Sequence, residues 1–294
     1  KGKITIKDII RLLVLLVAFA VLLYPTYSRY LNEKNGSKVV SEYDEKSVKL
    51  SHAEKEQMLA DARAYNQEML GNIDLIDPFS QTEPEVDERY ESLLNVEGSG
   101  MMGYVKIPKI NVELPIYHGT SESVLQAGVG HFQGTSLPVG GDSTHTVLTG
   151  HRGLPDKTLF TNMDKMEVGD IFYIKVLDAT LAYEVDQILT VEPQDTKALA
   201  IEKGKDYVTL VTCTPYAINT HRLLVRGKRI PYKEAKKKEE ANAKKNIPIY
   251  IILLIGGIIA ILFIYAAIRI KEVRRRKRRK KGKSYGKKKV KECL

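Results

Sequence analysis

Cysteine and histidine are scarce in this sequence of 294 residues, which contains two and six of them, and tryptophan is absent. Because these residues form no cluster at the spacing of metal ligands, the sequence argues against a zinc site. No internal repeat is visible either. The chemistry of the chain must therefore be sought in individual side chains.

Asp, Glu, Lys, Arg and His are missing altogether from residues 247–268, a stretch of 22 residues. A helix of that length is about 33 Å long, which is enough to cross the apolar core of a bilayer. The sequence therefore predicts a transmembrane helix over residues 247–268.

A shorter apolar run, Leu12 to Tyr24, follows a basic N-terminus. This arrangement is typical of a signal peptide or of an uncleaved signal anchor. Ala18-Phe19-Ala20 has the spacing of a cleavage site but lies inside the apolar run, which favours the anchor. We assign residues 1–30 to the cytoplasmic N-terminus and this anchor or signal peptide.

Net positive charge is concentrated in one segment, although the whole chain carries +10. Residues 269–294 hold 15 Lys or Arg against 2 Glu, a net charge of +13, so the rest of the chain carries −3. A basic tail directly after an apolar helix is expected in the cytoplasm, near anionic lipid headgroups, rather than on nucleic acid. The sequence thus predicts a multi-pass protein of the cell membrane, with both termini cytoplasmic and residues from about 30 to 245 outside.

This topology places a membrane between Cys213 and Cys293, so the two cysteines cannot pair. A single cysteine in an external domain is uncommon, which makes Cys213 a candidate nucleophile. The alternative is that Cys213 is a small buried apolar residue.

The external part divides into three segments: residues 31–100, 101–232 and 233–246. The first contains a predicted helix from Ser51, which can cap it with Glu54 three residues on, to Gly71, and then a long irregular stretch. Long structureless loops tend to be lids or linkers. The last, rich in Lys, Ala and Glu, is expected to be a solvated juxtamembrane spacer.

Residues 101–232 consist of short β-branched and apolar runs separated by turn residues, which predicts a mainly β domain. Seven strands in about 130 residues are typical of a closed or nearly closed barrel, or of a sandwich. The predicted strands span residues 104–107, 112–117, 146–149, 171–176, 181–192, 207–212 and 223–230.

Cys213 ends one of these strands, and two possible partners lie near strand ends as well. A thiol is mostly protonated at neutral pH, so a nucleophilic cysteine needs a basic or positive neighbour. His151 follows strand 146–149, and Arg222 begins the strand after Cys213, where a hairpin-like return would bring its guanidinium beside the thiol. His221 is a rival base, but it would project to the opposite strand face from Arg222. The other histidines, His52, His118, His131 and His145, are expected to be surface or turn residues.

At these positions the sequence resembles a known family. Residues 209–222, TLVTCTPYAINTHR, resemble the active-site strand of sortases, and GHFQGTSLP at 130–138 with LTGHRGLP at 148–155 is similar to the region of the sortase histidine. The similarity covers residues 101–231 and implies an eight-stranded sortase β-barrel, one strand more than the seven predicted. It also implies roles for Cys213 as nucleophile, His151 as general acid and base, and Arg222 as the group that orients substrate and stabilises the oxyanion.

The segment before the barrel indicates which class of sortase the sequence resembles. Asp77-Pro78-Phe79 resembles the lid of class C, or pilus-assembling, sortases, in which the Asp faces the catalytic Arg and the aromatic ring covers the Cys and His. The alternative is that Asp77-Pro78 simply begins a turn.

Together these similarities imply a cysteine transpeptidase that cleaves a Leu-Pro-x-Thr-Gly sorting signal and joins pilins through a Lys, without metal or organic cofactor. No such sorting signal occurs at the C-terminus of the chain itself. Two other interpretations stay open: a sortase that attaches proteins to peptidoglycan, and a membrane-tethered β-barrel binding module with an inert Cys213.

Overall fold

The computed structural model of the protein describes residues 6–69, 77–80 and 87–245. The chain divides into two compact units, residues 1–239 and 240–294. Across the described ranges, no helix combines the length and the apolar character that a membrane crossing needs. The predicted transmembrane helix at 247–268 and the basic tail at 269–294 lie outside the described residues.

Eight β-strands close into a barrel in the first unit. In order around the barrel they are β1, β2, β3, β4, β7, β8, β6 and β5. β2 and β3, and likewise β4 and β7, pair in parallel, whereas the other neighbours are antiparallel. The strands are β1 (Met101–Ile107), β2 (Val112–His118), β3 (Val129–His131), β4 (Thr144–Thr149), β5 (Ile171–Val176), β6 (Ala179–Val191), β7 (Asp206–Thr214) and β8 (His221–Ile230).

The mainly β barrel confirms the predicted fold class, and all seven predicted strands are present. The eighth strand, β3, was not predicted because it has three residues, too few for an alternating pattern to be read. It pairs with β2 on one side and β4 on the other, so it closes the sheet between them.

Within the described residues, five α-helices accompany the barrel: α1 (Ile6–Lys49), α2 (His52–Glu68), α3 (Glu88–Ser92), α4 (Glu122–Ala127) and α5 (Tyr232–Lys245). The Ser51 hydroxyl accepts from the Glu54 backbone N–H, and the Glu54 carboxylate accepts from the Ser51 N–H, so α2 begins with the expected capping box. The buried Asn66 of α2 bonds both the N–H and the carbonyl of Leu137, which ties this helix to the barrel.

The short helix α3 lies in the stretch that carries no sequence period, and it is fixed by Tyr90. This side chain is fully buried; its hydroxyl lies 2.9 Å from His131 Nδ1 and accepts from the Gly119 N–H at 2.9 Å. The expectation that His118, His131 and His145 are surface or turn residues is wrong. All three are buried, because each ring nitrogen finds a protein partner.

The segment expected to be a solvated spacer is instead helical from Tyr232, and its first part packs on the barrel. Ala235 is fully buried against Ile171, Tyr173, Ala182 and Ile230. Tyr173 donates its hydroxyl to Glu239 at 2.6 Å. Small apolar residues within this charged run make the packing contact. They are hard to recognise in the sequence because most of their neighbours are charged.

Candidate active site

Cys213 lies directly opposite Arg222 in the register of β7 and β8. The β-branched and apolar run of β7 is buried on both of its faces up to Thr212, and the strand becomes partly exposed at Cys213. The antiparallel return therefore places the guanidinium-bearing residue beside the thiol, at the rim of the barrel. This juxtaposition is the one that the hairpin-like return predicted.

His151 reaches the same rim from β4, which runs parallel to β7. Thr149 pairs with Val211, and beyond the strand the Gly150 N–H donates to the Val211 carbonyl at 3.0 Å. The buried Thr212 hydroxyl donates to the Gly150 carbonyl at 2.7 Å. If the register is followed two residues past Thr149, His151 comes level with Cys213.

Asp77 is held on Arg222 by two parallel hydrogen bonds. Arg222 donates from Nε to Asp77 Oδ1 at 2.8 Å and from Nη2 to Asp77 Oδ2 at 2.6 Å. Asp77 also shapes its own turn, because Oδ1 accepts from the Phe79 N–H and its carbonyl accepts from the Ser80 N–H. A bidentate pair of this kind is among the stronger polar contacts in proteins, so it fixes the position of residues 77–80, the lid segment.

Phe79 covers the histidine and the arginine. Its ring centroid lies 5.9 Å from that of His151, and the Arg222 guanidinium carbon lies 5.0 Å from the same centroid. Pro78, which stands between Asp77 and Phe79 in the sequence, is buried. The Phe79 ring packs against an apolar cluster made of Phe132, Val147, Leu199, Val211 and Leu224. The lid segment thus places an apolar ring over the rim where Cys213, His151 and Arg222 meet.

The surroundings of Cys213 hold its thiol in the protonated form. Burial raises the pKa of Cys213, the Arg222 cation opposes this rise, and the Asp77 carboxylate adds to it. Arg222 is therefore the group that favours a thiolate, and in this arrangement Asp77 offsets its charge. Removal of the lid segment would leave a cation and a less buried thiol at one site.

Arg222 has further hydrogen bonds that fix its orientation. Nη1 donates to the backbone carbonyls of Asn219 and His221, both at 3.1 Å. Burial opposes the charge of Arg222, but its pKa is raised because Asp77 binds the charged form. A guanidinium held at three nitrogens is positioned to donate to a developing oxyanion once Asp77 leaves.

His221, the rival histidine, pairs across the strands with Thr214. Its Nδ1 lies 2.9 Å from the hydroxyl of the adjacent Thr220 in an exposed contact. The structure therefore gathers His151, and not His221, with Phe79 and Arg222.

Two neighbours of the site were not predicted from the sequence. Glu122 Oε2 lies 3.2 Å from His151 Nε2, and Arg152 donates to the Thr214 hydroxyl at 3.3 Å and pairs with Asp164 at 2.8 Å. Glu122 stands 29 residues before His151, on a helix that offers no catalytic pattern in sequence. Arg152 stands beside His151, and its adjacency to that residue was the one available signal.

Comparison with known proteins agrees with this geometry. A family model described as a sortase domain matches residues 105–230. A solved structure of Streptococcus pneumoniae sortase C is 52% identical, with a TM-score of 0.63, over 66% of this chain and 97% of that one. A pilus-related sortase C of Group B Streptococcus is 47% identical, with a TM-score of 0.62, over 66% of this chain and 98% of its own.

A curated relative is more distant and longer than the matched region. Sortase D of Bacillus subtilis is 32% identical over 131 residues, which are 44% of this chain. The chain spans 63% of the length of that relative. The similarity therefore centres on the β-barrel, where Cys213, His151 and Arg222 lie.

Proposed function

Because the chain belongs to the sortase family of cysteine transpeptidases, we propose that it is a class C enzyme that cleaves a sorting signal and joins pilin subunits. The substrate is a secreted pilin with a Leu-Pro-x-Thr-Gly type signal, and the acceptor is the side-chain amine of a Lys in another pilin. The observation that carries this proposal is the meeting of Cys213, His151 and Arg222 at one rim beneath Asp77 and Phe79.

The first half of the reaction forms an acyl-enzyme on Cys213. Cys213 gives its thiol proton to His151 as the sulfur attacks the Thr carbonyl of the signal, the Thr–Gly bond breaks, and His151 passes that proton to the leaving amine. Arg222 donates hydrogen bonds to the oxygen of the tetrahedral intermediate. The product of this step is a thioester between Cys213 and the shortened pilin.

The second half transfers the acyl group to the acceptor Lys. The amine attacks the thioester carbon, His151 takes the proton that the amine loses, and the sulfur leaves as Cys213 is regenerated. The bond formed is an isopeptide bond between two pilins. These steps transfer one acyl group and protons. Cys213 carries the acyl group and His151 carries the protons, so no cofactor is needed.

The lid segment acts as an autoinhibitory cover in this proposal. Asp77 binds the Arg222 guanidinium, which is the group that would stabilise the oxyanion, and Phe79 lies over His151. Substrate binding must displace both contacts before Cys213 can react. The Asp77 carboxylate also raises the thiol pKa, so displacement activates the nucleophile as it opens the site.

We further propose that the enzyme works at the outer face of the cell membrane, with membrane lipid as a second partner. This location rests on the sequence: the apolar segment 247–268, the basic tail 269–294 and the basic N-terminus before the run 12–24. On α1, four large side chains at helical spacing are more than half exposed, Val17, Val21, Tyr24 and Tyr27, which supports an apolar environment there.

Two other functions compete with pilin joining. A peptidoglycan-attaching sortase would use the same Cys213, His151 and Arg222 but a cell-wall amine as acceptor. A binding module would leave Cys213 inert, yet the cation opposite the thiol favours reactivity, and this contact argues for an enzyme.

Acceptor choice is tested with purified full-length protein in detergent, carrying Asp77→Ala and Phe79→Ala. It is incubated with a Leu-Pro-x-Thr-Gly peptide and a second peptide that contains one Lys, and the products are identified by mass spectrometry. We expect a branched product joined through the Lys amine, and no product when that Lys is replaced by Arg. Transfer to a peptidoglycan cross-bridge peptide, with none to the Lys peptide, would contradict pilin joining and favour cell-wall attachment.

A further inference from the structure

Glu122 contacts His151 from outside the lid segment. It is the first residue of α4, and its Oε2 lies 3.2 Å from His151 Nε2. The other carboxylate oxygen accepts from Gln126 Nε2 at 2.7 Å, one helical turn further along. Both oxygens of Glu122 therefore have fixed partners, and one of them is the histidine.

The helix that carries Glu122 is itself fixed to the barrel and to the loop after His151. Leu125 is buried beneath α4. The Lys157 ammonium donates to the Gln126 carbonyl, and Lys157 lies six residues after His151. Because α4 and the loop of His151 are bound to each other, the distance between the carboxylate and the imidazole is held by the fold.

A carboxylate can only accept a hydrogen bond, so its partner on the imidazole must carry the proton. Contact with Glu122 thus places a proton on His151 Nε2 and leaves the lone pair of the neutral ring on Nδ1. The pKa of Glu122 is lowered, chiefly by the hydrogen bond from Gln126 and then by His151, so the carboxylate remains charged. A fixed negative charge at this distance favours the imidazolium form that arises when His151 takes a proton.

From this geometry we propose that Glu122 is a positioning residue for His151, which sets the tautomer of the imidazole and stabilises the imidazolium during acyl transfer. The proposal rests on the proposed function of His151. The mobile proton is carried by Nδ1. This nitrogen takes it from the Cys213 thiol as the sulfur attacks and passes it to the leaving amine when the Thr–Gly bond breaks; in the second half it takes a proton from the acceptor amine and returns it to the departing sulfur. The proton on Nε2 remains with Glu122 throughout.

The contact does not depend on the lid segment. Asp77 and Phe79 engage Arg222 and the ring face of His151, whereas Glu122 approaches the ring edge at Nε2. Displacement of the lid segment therefore leaves the pair of Glu122 and His151 intact. The Glu122 side chain is 71% exposed, so solvent screens its charge and the effect on rate is moderate.

The test compares Glu122→Gln and Glu122→Ala with the control Ser123→Ala, at the next and exposed position of the same helix. All are made in the full chain with Asp77→Ala and Phe79→Ala. The rates of thioester formation on a Leu-Pro-x-Thr-Gly peptide and of its aminolysis are measured at low and at high salt. The tautomer of His151 is read from nitrogen NMR of histidine-labelled protein, with His151→Gln to assign its signals.

We expect Glu122→Gln to slow both steps about two- to fivefold, as loss of a screened charge predicts, with an unchanged melting temperature. High salt should slow the parent toward the rate of Glu122→Gln, because salt screens an exposed pair. In NMR, the parent should show the proton on Nε2, Glu122→Gln should retain it through the amide oxygen, and Glu122→Ala should lose this preference.

Parent-like rates in both variants would overturn the proposal, as would an unchanged tautomer in Glu122→Ala. A rate loss that follows a lowered melting temperature and is insensitive to salt would also overturn it, because that pattern indicates a structural role. If the parent forms no thioester at all, the proposed function fails, whereas the tautomer measurement still decides whether Glu122 positions His151.

Discussion

Cys213 and Arg222 are direct partners across two antiparallel strands, yet the guanidinium is bound to Asp77 at 2.6 and 2.8 Å. The residue best placed to stabilise a thiolate or an oxyanion is therefore occupied. Because the same Asp77 also raises the thiol pKa, one carboxylate suppresses both the nucleophile and its electrostatic support. In the proposed mechanism, this relationship keeps an assembled site closed until substrate displaces Asp77.

Opening the lid segment should make Cys213 more reactive. We expect Asp77→Ala with Phe79→Ala to speed alkylation of Cys213 about tenfold or more at neutral pH, since each unit of lowered thiol pKa gives about tenfold more thiolate. The pH at which alkylation is half-maximal should fall, because burial and the Asp77 carboxylate are what raise the thiol pKa and the variant reduces both. The measurement is the alkylation rate as a function of pH.

Ser80→Ala is the matched control for this lid variant, since Ser80 belongs to the same segment but bonds Asp77 only through its backbone. Its alkylation rate should equal that of the parent. Equal rates in the parent and in the double variant would remove the autoinhibitory role of the lid segment.

Arg222→Lys should impair turnover far more than folding. Lysine keeps the charge but lacks the planar, two-pronged donor geometry that matches a carboxylate or an oxyanion. We expect turnover to fall about 100-fold, the loss typical for an oxyanion donor, in an assay of peptide cleavage by the lid-opened enzyme.

Arg226→Lys controls for the loss of a bidentate pair on the same strand. Arg226 holds Asp186 through Nε and Nη2, both at 3.0 Å, away from Cys213. With Asp77 and Phe79 intact, its melting temperature should change about as much as that of Arg222→Lys, and in the lid-opened enzyme its turnover should stay near that of the parent. Parent-like turnover in Arg222→Lys would argue against an electrostatic role for this residue.

Gly150→Ala should disturb the site from the segment that joins the end of β4 to His151. A Cβ at residue 150 would lie 2.7 Å from the ring of Phe160, which is fully buried and has no room to move. We expect a destabilisation of about 1–3 kcal/mol, the usual cost of overpacking, together with a loss of turnover as His151 shifts. Urea unfolding and the cleavage assay measure the two effects.

Gly36→Ala, where an added Cβ meets nothing within 4 Å, is the comparison for that substitution. Gly36 lies within α1, so alanine there should leave stability unchanged or raise it. If Gly150→Ala were as stable and as active as Gly36→Ala, the tight packing behind His151 would not be what positions it.

The buried His131 should make the protein less stable in mild acid. Burial lowers the pKa of His131 to about 4, against about 6.5 for an unfolded histidine. The contribution of the neutral His131 to the free energy of unfolding is therefore fully present above pH ~6.5. It is lost as pH falls toward 4, and the total loss is about 3 kcal/mol. Burial lowers the pKa of His145 as well, so His145 adds to the loss with the same sign.

Urea unfolding at several pH values tests this dependence. His131→Gln should flatten the fall in unfolding free energy between pH 6.5 and 4, whereas His52→Gln, at an exposed position, should keep the parent's slope. An undiminished slope in His131→Gln would show that His131 takes up its proton in the folded state.

The sequence pattern predicted seven strands and the pairing of Cys213 with Arg222 because both depend on residues that lie close together along the chain. The run of β7 ends at Cys213, and the turn that follows returns the chain to Arg222, so register alone joins them. The three residues of β3 and the five of α3 carry no period, and they form because Tyr90 and His131 bury against each other across 41 positions. The partner of His151 was equally hidden, since only the folded chain brings Glu122 to it.

The most direct test of the proposed transpeptidase mechanism is a search for an acyl-enzyme on Cys213. Full-length protein with Asp77→Ala and Phe79→Ala, with Cys213 intact or changed to Ala, is incubated with a Leu-Pro-x-Thr-Gly peptide and examined by mass spectrometry. If Cys213 is the nucleophile, we expect an adduct of the peptide's N-terminal part on Cys213 that hydroxylamine removes and that the Ala variant lacks. No adduct and no cleavage across a panel of sorting-signal peptides, with a Cys213 that alkylates no faster than a buried thiol, would contradict it.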